Sequence, residues 1–169
     1  MDIVFFLAAA IALGATVMVI TRLNAVHALL YLIVSLLALA VVFFTLGAPL
    51  VAALEVIIYA GAIMVLFVFA LMILNLGKHT VAQERAWLTP RIWTGPALLA
   101  AVLLGELGWA VLTYRGRAMA GAVDPTLVGA SLYSTYLLGV ELASLILLAA
   151  LVGAYHLARR EEVAEEERP

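Results

Sequence analysis

Hydrophobic residues run almost unbroken along this chain, and a few short polar breaks divide them into five stretches. The first covers residues 3–20 and ends at Thr21-Arg22-Leu23-Asn24-Ala25, which reverses the chain. The second, residues 26–46, ends at Gly47-Ala48-Pro49. A turn this short and uncharged makes the second and third stretches antiparallel neighbours. The third covers residues 50–74, with Asn75 and Gly77 as its stop signal. The fourth covers residues 95–113, with Thr94 as the expected cap and Pro96 in the first turn. The fifth covers residues 132–157. About 20 apolar residues cross a hydrocarbon core as a helix. The pattern therefore predicts an all-α, polytopic membrane protein with five transmembrane helices. A barrel would show short alternating strands instead.

The polar breaks set the expected orientation. Residues 76–94 form one connection, where Lys78, Glu84, Arg85 and Arg91 favour water and Trp87 and Trp93 suit the headgroup zone. Within it, residues 81–88 are a candidate short surface helix. Residues 114–131, with Arg115, Arg117 and Asp124-Pro125, make a loop on the opposite side. A charged tail, residues 159–169, follows the five-helix domain of residues 1–158. With the N-terminus outside, Arg22, Lys78, Arg85, Arg91, Arg159, Arg160 and Arg168 are cytoplasmic and only Arg115 and Arg117 external. The positive-inside rule selects this arrangement, a periplasmic N-terminus and a cytoplasmic C-terminus. Met1-Asp2 provides no basic segment, so the first stretch is expected to be a retained helix and not a signal.

Composition narrows the chemistry. Of 169 residues, 67% are hydrophobic and 12% charged, which excludes a water-facing globule. There is no cysteine, so neither a disulfide nor a cysteine-ligated iron–sulfur cluster is possible. His27, His79 and His156 are scattered and make no metal-ligand spacing. No glycine-rich nucleotide loop follows a strand. The chain is expected to hold no metal, no cofactor and no catalytic residue of its own, leaving any redox chemistry to another chain. No internal repeat marks it as an inverted-repeat transporter. Ala97, Ala101 and Gly105, and likewise Ala149 and Gly153, read as helix-packing seams.

The third stretch carries features that lipid alone would not select: Glu55, Tyr59 and Gly61. In a regular helix Glu55, Tyr59 and Ala62 share one face and Gly61 lies off it. The apolar stretches also hold Glu106 and Glu141. An acidic group at membrane depth costs roughly 2.5–3.5 kcal/mol on insertion scales. For Glu55 and Glu141, an interfacial or interhelical contact stands level with a place on a proton path. For Glu106 the plain alternative is contact with another subunit. Three carboxylates without a lysine inside any stretch make a poor ion-relay set. Tyr59 is either a core aromatic with a satisfied hydroxyl or one link of a water chain, since a hydroxyl both donates and accepts. Met64, Phe67 and Phe69 are most simply packing residues.

Gly61 has two readings. Glycine weakens a helix by roughly 1 kcal/mol relative to alanine, and π-bulges often mark functional sites. Gaining or losing a one-residue bulge rotates everything from Met64 onward by about 100°. Gly61 and Ala62 would then exchange places with Met64 and Phe67 at a given surface, opening or blocking a water file. From spacing alone, close packing of Gly61 against a neighbouring backbone is favoured.

The run Glu55-Val-Ile-Ile-Tyr-Ala-Gly-Ala-Ile-Met-Val-Leu-Phe-Val-Phe-Ala-Leu-Met-Ile-Leu-Asn-Leu-Gly77 closely resembles the third helix of the subunit J family of bacterial NADH–quinone oxidoreductase, respiratory complex I. Asn24-Ala-Val-His-Ala-Leu-Leu-Tyr-Leu, Gln83-Glu-Arg-Ala-Trp87 and Val140-Glu-Leu-Ala-Ser144 are similar to the same family. The resemblance implies a non-redox membrane subunit between the quinone-site region and the first proton-pumping elements, in the inner membrane. It implies that NADH, FMN, iron–sulfur clusters and quinone are held by partner subunits. Partners are then the other membrane-arm and quinone-site subunits and the lipid bilayer, with no nucleic acid among them. It further implies a third helix switching between regular and π-bulged forms beside a water path. Tyr59 and Gly61 match that motif, Glu55 its acidic position, and Ala62 and Met64 lie within it. Glu141 matches a fifth-helix glutamate, although Gly139-Val140 stand where many relatives have Pro-Phe. Glu106 matches no family position. Two other classes share the composition: a small subunit of a multisubunit cation/proton antiporter, and a purely structural assembly subunit.

Overall fold

A computed structural model describes residues 2–74, 90–113 and 121–166 of the chain. Every regular element among them is helical, as the long apolar runs require. In order they are α1 (Asp2–Thr21), α2 (Ala25–Thr45), α3 (Pro49–Leu54), a π-helical segment (Glu55–Ile63), α4 (Met64–Leu74), α5 (Pro90–Thr113), α6 (Pro125–Leu132) and α7 (Leu137–Glu166). Among the described residues, four stretches are long and apolar enough to cross a membrane: Ile3–Thr21, Ala25–Thr45, Pro49–Ile73 and Leu137–Leu157. The chain divides into two compact units, Met1–Val123 and Asp124–Pro169.

The first unit is organised around α1 and α2. Ala8, Ala12 and Ala15 are buried along one side of α1, and small residues at such spacing let two helix backbones approach. From α2, Tyr31, Val34, Ser35, Ala38 and Val41 are buried, the spacing expected of a single helical face. The two faces meet in one core, to which α5 adds Leu103, with Leu99 and Ala100 packed against it.

A polar clasp lies inside this apolar contact. The Thr16 hydroxyl is 2.8 Å from the Ala12 carbonyl. The Ser35 hydroxyl is 3.1 Å from the same carbonyl and 2.9 Å from the Thr16 hydroxyl. Two hydroxyl protons thus serve three oxygens, tying α1 to α2.

Local chemistry fixes the ends of α2. The Asn24 side chain accepts from the His27 N–H at 3.1 Å, a helix N-cap. At the far end Gly47 takes φ of 81°, a left-handed conformation that glycine adopts without penalty. Its carbonyl accepts from the Val123 N–H at 2.9 Å, so the turn feeding the third span is tied to the segment before α6.

Several boundaries differ from those read in the sequence. α5 starts at Pro90, so residues 90–94, expected in the polar connection, are helical and Thr94 is no cap. Pro96 consequently lies inside the helix and not in its first turn. Residues 125–131, expected as loop, form most of α6. The Asp124 carboxylate accepts from the Thr126 N–H at 2.8 Å and Pro125 follows, a pairing that starts helices. The expected span over residues 132–157 is broken by a turn at residues 133–136. There the Ser131 and Ser134 hydroxyls each bond a nearby backbone carbonyl at 2.7 Å. α7 then continues through most of the charged tail to Glu166, since Ala, Glu and Arg are strong helix formers. The stop signal at Asn75 and Gly77, the surface helix at 81–88, and Lys78, His79, Glu84, Arg85, Trp87, Arg115, Arg117 and Arg168 lie outside the described residues.

Candidate functional site

The third span is where regular helix geometry fails. Pro49 opens it at the first helical position. After six residues of α-helix the backbone changes to a π-helix over Glu55–Ile63, and α-helix resumes at Met64. In a π-helix the bonds reach one residue further than in an α-helix, which widens each turn. The Met64 N–H accordingly turns to the Tyr59 carbonyl, five residues back, and to that of Gly61. A nine-residue π segment stands where the sequence suggested a one-residue bulge.

The wider turn rearranges the expected face. Glu55 and Tyr59, four residues apart, remain one turn apart. Ala62 is two α-helical turns from Glu55 but not two of these wider ones, so it leaves that face. Glu55 is half-buried, Tyr59 is 50% exposed and Ala62 is exposed. No hydrogen bond joins the side chains of Glu55 and Tyr59 to other described residues. Met64 is 2% exposed and anchors the start of α4. Gly61 is half-buried, and a Cβ there would meet the Val56 carbonyl oxygen at 3.2 Å. The close approach is to the span's own backbone, five residues back, and not to a neighbouring helix.

Beside the start of this segment is an apolar cavity of about 420 Å³. Val41 and Phe44 of α2, Ala53 and Val56 of the third span, and Leu103 and Leu107 of α5 are among its walls. Neither Tyr59 nor Gly61 lines it.

The two other acidic candidates stand elsewhere. Glu106 is on α5, with both carboxylate oxygens buried and no hydrogen-bond partner among the described residues. Glu141 is on α7 in the second unit and is exposed, and its backbone carbonyl accepts from the Ser144 hydroxyl at 2.7 Å. The structure therefore groups Glu55, Tyr59, Gly61, Ala62 and Met64 in one segment, with Glu106 on another helix of the first unit and Glu141 in the second unit. Among the described residues no three His, Asp or Glu side chains gather as a metal site.

The sequence reading passed over a second cluster, centred on Tyr31 at the start of α2. The Tyr31 ring is 5% exposed, 5.0 Å from the His27 ring and 5.6 Å from the Arg22 guanidinium carbon. Its hydroxyl fills the space where a Gly95 side chain would stand. The one sequence signal was the four-residue spacing of His27 and Tyr31, which is common to many helices.

Residues 15–157 match the family described as NADH-ubiquinone/plastoquinone oxidoreductase chain 6. The NADH-quinone oxidoreductase subunit J of Pseudomonas aeruginosa is 59% identical over 167 residues, covering 95% of this chain and 98% of that protein. The protein of the same name from Escherichia coli K12 is 51% identical over 166 residues, 98% of this chain and 90% of that one. That of Buchnera aphidicola from Schizaphis graminum is 44% identical over 163 residues, 96% and 100% of the two chains. With identity at this level over nearly the full length, the chain belongs to the NADH-ubiquinone/plastoquinone oxidoreductase chain 6 family.

Proposed function

We propose that this chain is a membrane subunit of a proton-translocating NADH–quinone oxidoreductase, and that its third span couples quinone reduction to proton movement. The observation that carries the mechanism is the π-helical run Glu55–Ile63, held between two regular helices. Converting it to α-helix draws its bonds back by one residue, which turns the two ends against each other by about 100°. Ala52 before the segment and Met64 after it are both buried. One of them must then leave its seat, or a neighbour must move. That makes two distinct packings, which energy coupling requires. Tyr59 stands on the rotating part, and its hydroxyl links or breaks a water file as the segment turns.

In this reading the helix Pro90–Thr113 supplies a fifth span, alongside the four apolar enough to cross a membrane. The N-terminus lies on the periplasmic side of the inner membrane and the C-terminus in the cytoplasm, from the distribution of Lys and Arg. Glu141 is a secondary element of the proton path. NADH, FMN, the iron–sulfur clusters and quinone are bound by partner subunits, among them those at the quinone site.

Gly61→Val tests the switch. A Cβ added at Gly61 would sit 3.2 Å from the Val56 oxygen, and the β-branch adds further bulk there. The variant enzyme should assemble and oxidise NADH with an artificial acceptor, while quinone-coupled turnover and proton pumping fall. Normal pumping in the assembled variant would favour the purely structural reading. Purification of the chain without flavin and iron–sulfur subunits would favour the antiporter reading.

A further inference from the structure

Glu106 is the one carboxyl of α5, and its surroundings differ from those of Glu55 and Glu141. Both of its oxygens are shut off from solvent by the first unit itself, without a hydrogen-bond partner among the described residues. Leu99, Leu103 and Glu106 recur at intervals of four and three, so they share a face of the helix. Leu99 and Leu103 pack into the α1–α2 core, whereas Leu98, Leu104 and Leu112 are exposed. The Glu106 oxygens are therefore covered from within the first unit.

Burying an ionised carboxylate without a donor costs far more than burying the acid. Charge is tolerated at such a position only when a donor or water arrives. The titratable groups on the elements around α5 are few: Asp2 on α1, His27 and Tyr31 on α2, Arg22 in the turn between them, and Glu55 and Tyr59 on the third span, which shares a cavity with α5. Tyr31 meets α5 at Gly95, with His27 and Arg22 beside it. Gly95 precedes Glu106 by eleven residues, about 16 Å along the axis at 1.5 Å per residue. None of these three serves it as a counter-charge.

We propose that Glu106 is a proton-exchange site buried between α5 and the α1–α2 pair. It gives its proton to water that enters there and takes one back, so that carboxyl plus water becomes carboxylate plus hydronium and the reverse. The site stands on a different helix from the third-span segment.

Carbodiimide labelling of the intact enzyme in native membranes tests this. The acid's proton passes to a carbodiimide nitrogen as its oxygen adds to the central carbon, so only the protonated carboxyl reacts. Rearrangement leaves a stable acylurea that mass spectrometry locates on the peptide. Membrane-soluble dicyclohexylcarbodiimide should label Glu106, with the label lost in Glu106→Gln and labelling slowing as pH is raised. A water-soluble carbodiimide should leave it unmodified. Absence of labelling would overturn the proposal. Labelling independent of pH would show a sealed acid, and equal labelling by both reagents an exposed one; either also overturns it. If Glu106→Gln fails to assemble, the two reagents and the pH series on the unaltered enzyme still decide.

Discussion

Gly95→Ala probes the tightest contact between α5 and α2. The added Cβ would fall on the Tyr31 hydroxyl, with the ring carbon that bears it 3.3 Å away. Tyr31 has little room to retreat, being 5% exposed between His27 and Arg22. Overpacking of this kind costs about 1–3 kcal/mol. Replacing glycine by alanine inside a helix returns about 1 kcal/mol. The net loss is then only about 0–2 kcal/mol, too narrow a range to judge from one variant. A double-mutant cycle with Tyr31→Phe isolates the contact. Removing the hydroxyl leaves that ring carbon as the nearest atom, which needs to give by only a few tenths of an ångström. The expected coupling is about 1–2 kcal/mol, with Tyr31→Phe rescuing Gly95→Ala. Thermal inactivation midpoints of the membrane-bound enzyme report it, Gly95→Ala lying below the double variant. Additivity within about 0.5 kcal/mol would refute the reasoning, because sites that do not touch add to that precision.

Three further outcomes are expected. Thr16→Val with Ser35→Ala removes the clasp between α1 and α2 and should lower stability by about 0.6–1.7 kcal/mol, the range for interhelical hydrogen bonds in membranes. Ser35→Ala, which removes both bonds between the helices, should cost nearly as much as the pair, and Thr16→Val less, because Ser35 keeps the Ala12 carbonyl; thermal inactivation reads this. Asp124→Ala should cost about 1 kcal/mol through loss of its bond to the Thr126 N–H, seen as faster proteolysis near residues 121–126, while Asp124→Asn should cost little. Tyr59→Phe should reduce proton pumping less than Gly61→Val does, and unchanged pumping would remove its hydroxyl from the path.

Much of this arrangement was legible because lipid imposes simple rules. Uninterrupted apolar runs have to be helices, and Asn24 and Gly47 mark the ends of α2 through local chemistry. Where the reading failed, the signal was ambiguous or lay outside the segment. Asp124-Pro125 suits a turn as well as a helix start. The break at residues 133–136 falls inside an apolar run that periodicity alone reads as continuous. For the third span, glycine announced an irregularity but not its length. No residue type within the run specifies a nine-residue π segment. Burial of the Glu106 oxygens was likewise invisible, since it follows from which face of α5 meets α1 and α2.

The most direct measurement is a pair of high-resolution maps of the whole enzyme, one resting and one during NADH oxidation. The account expects residues 55–63 to be π-helical in one and α-helical in the other, with the chain from Met64 onward turned by about 100° against Ala52 and ordered water beside Tyr59 in one state only. The same backbone in both maps, dry on the Tyr59 side throughout, would contradict it.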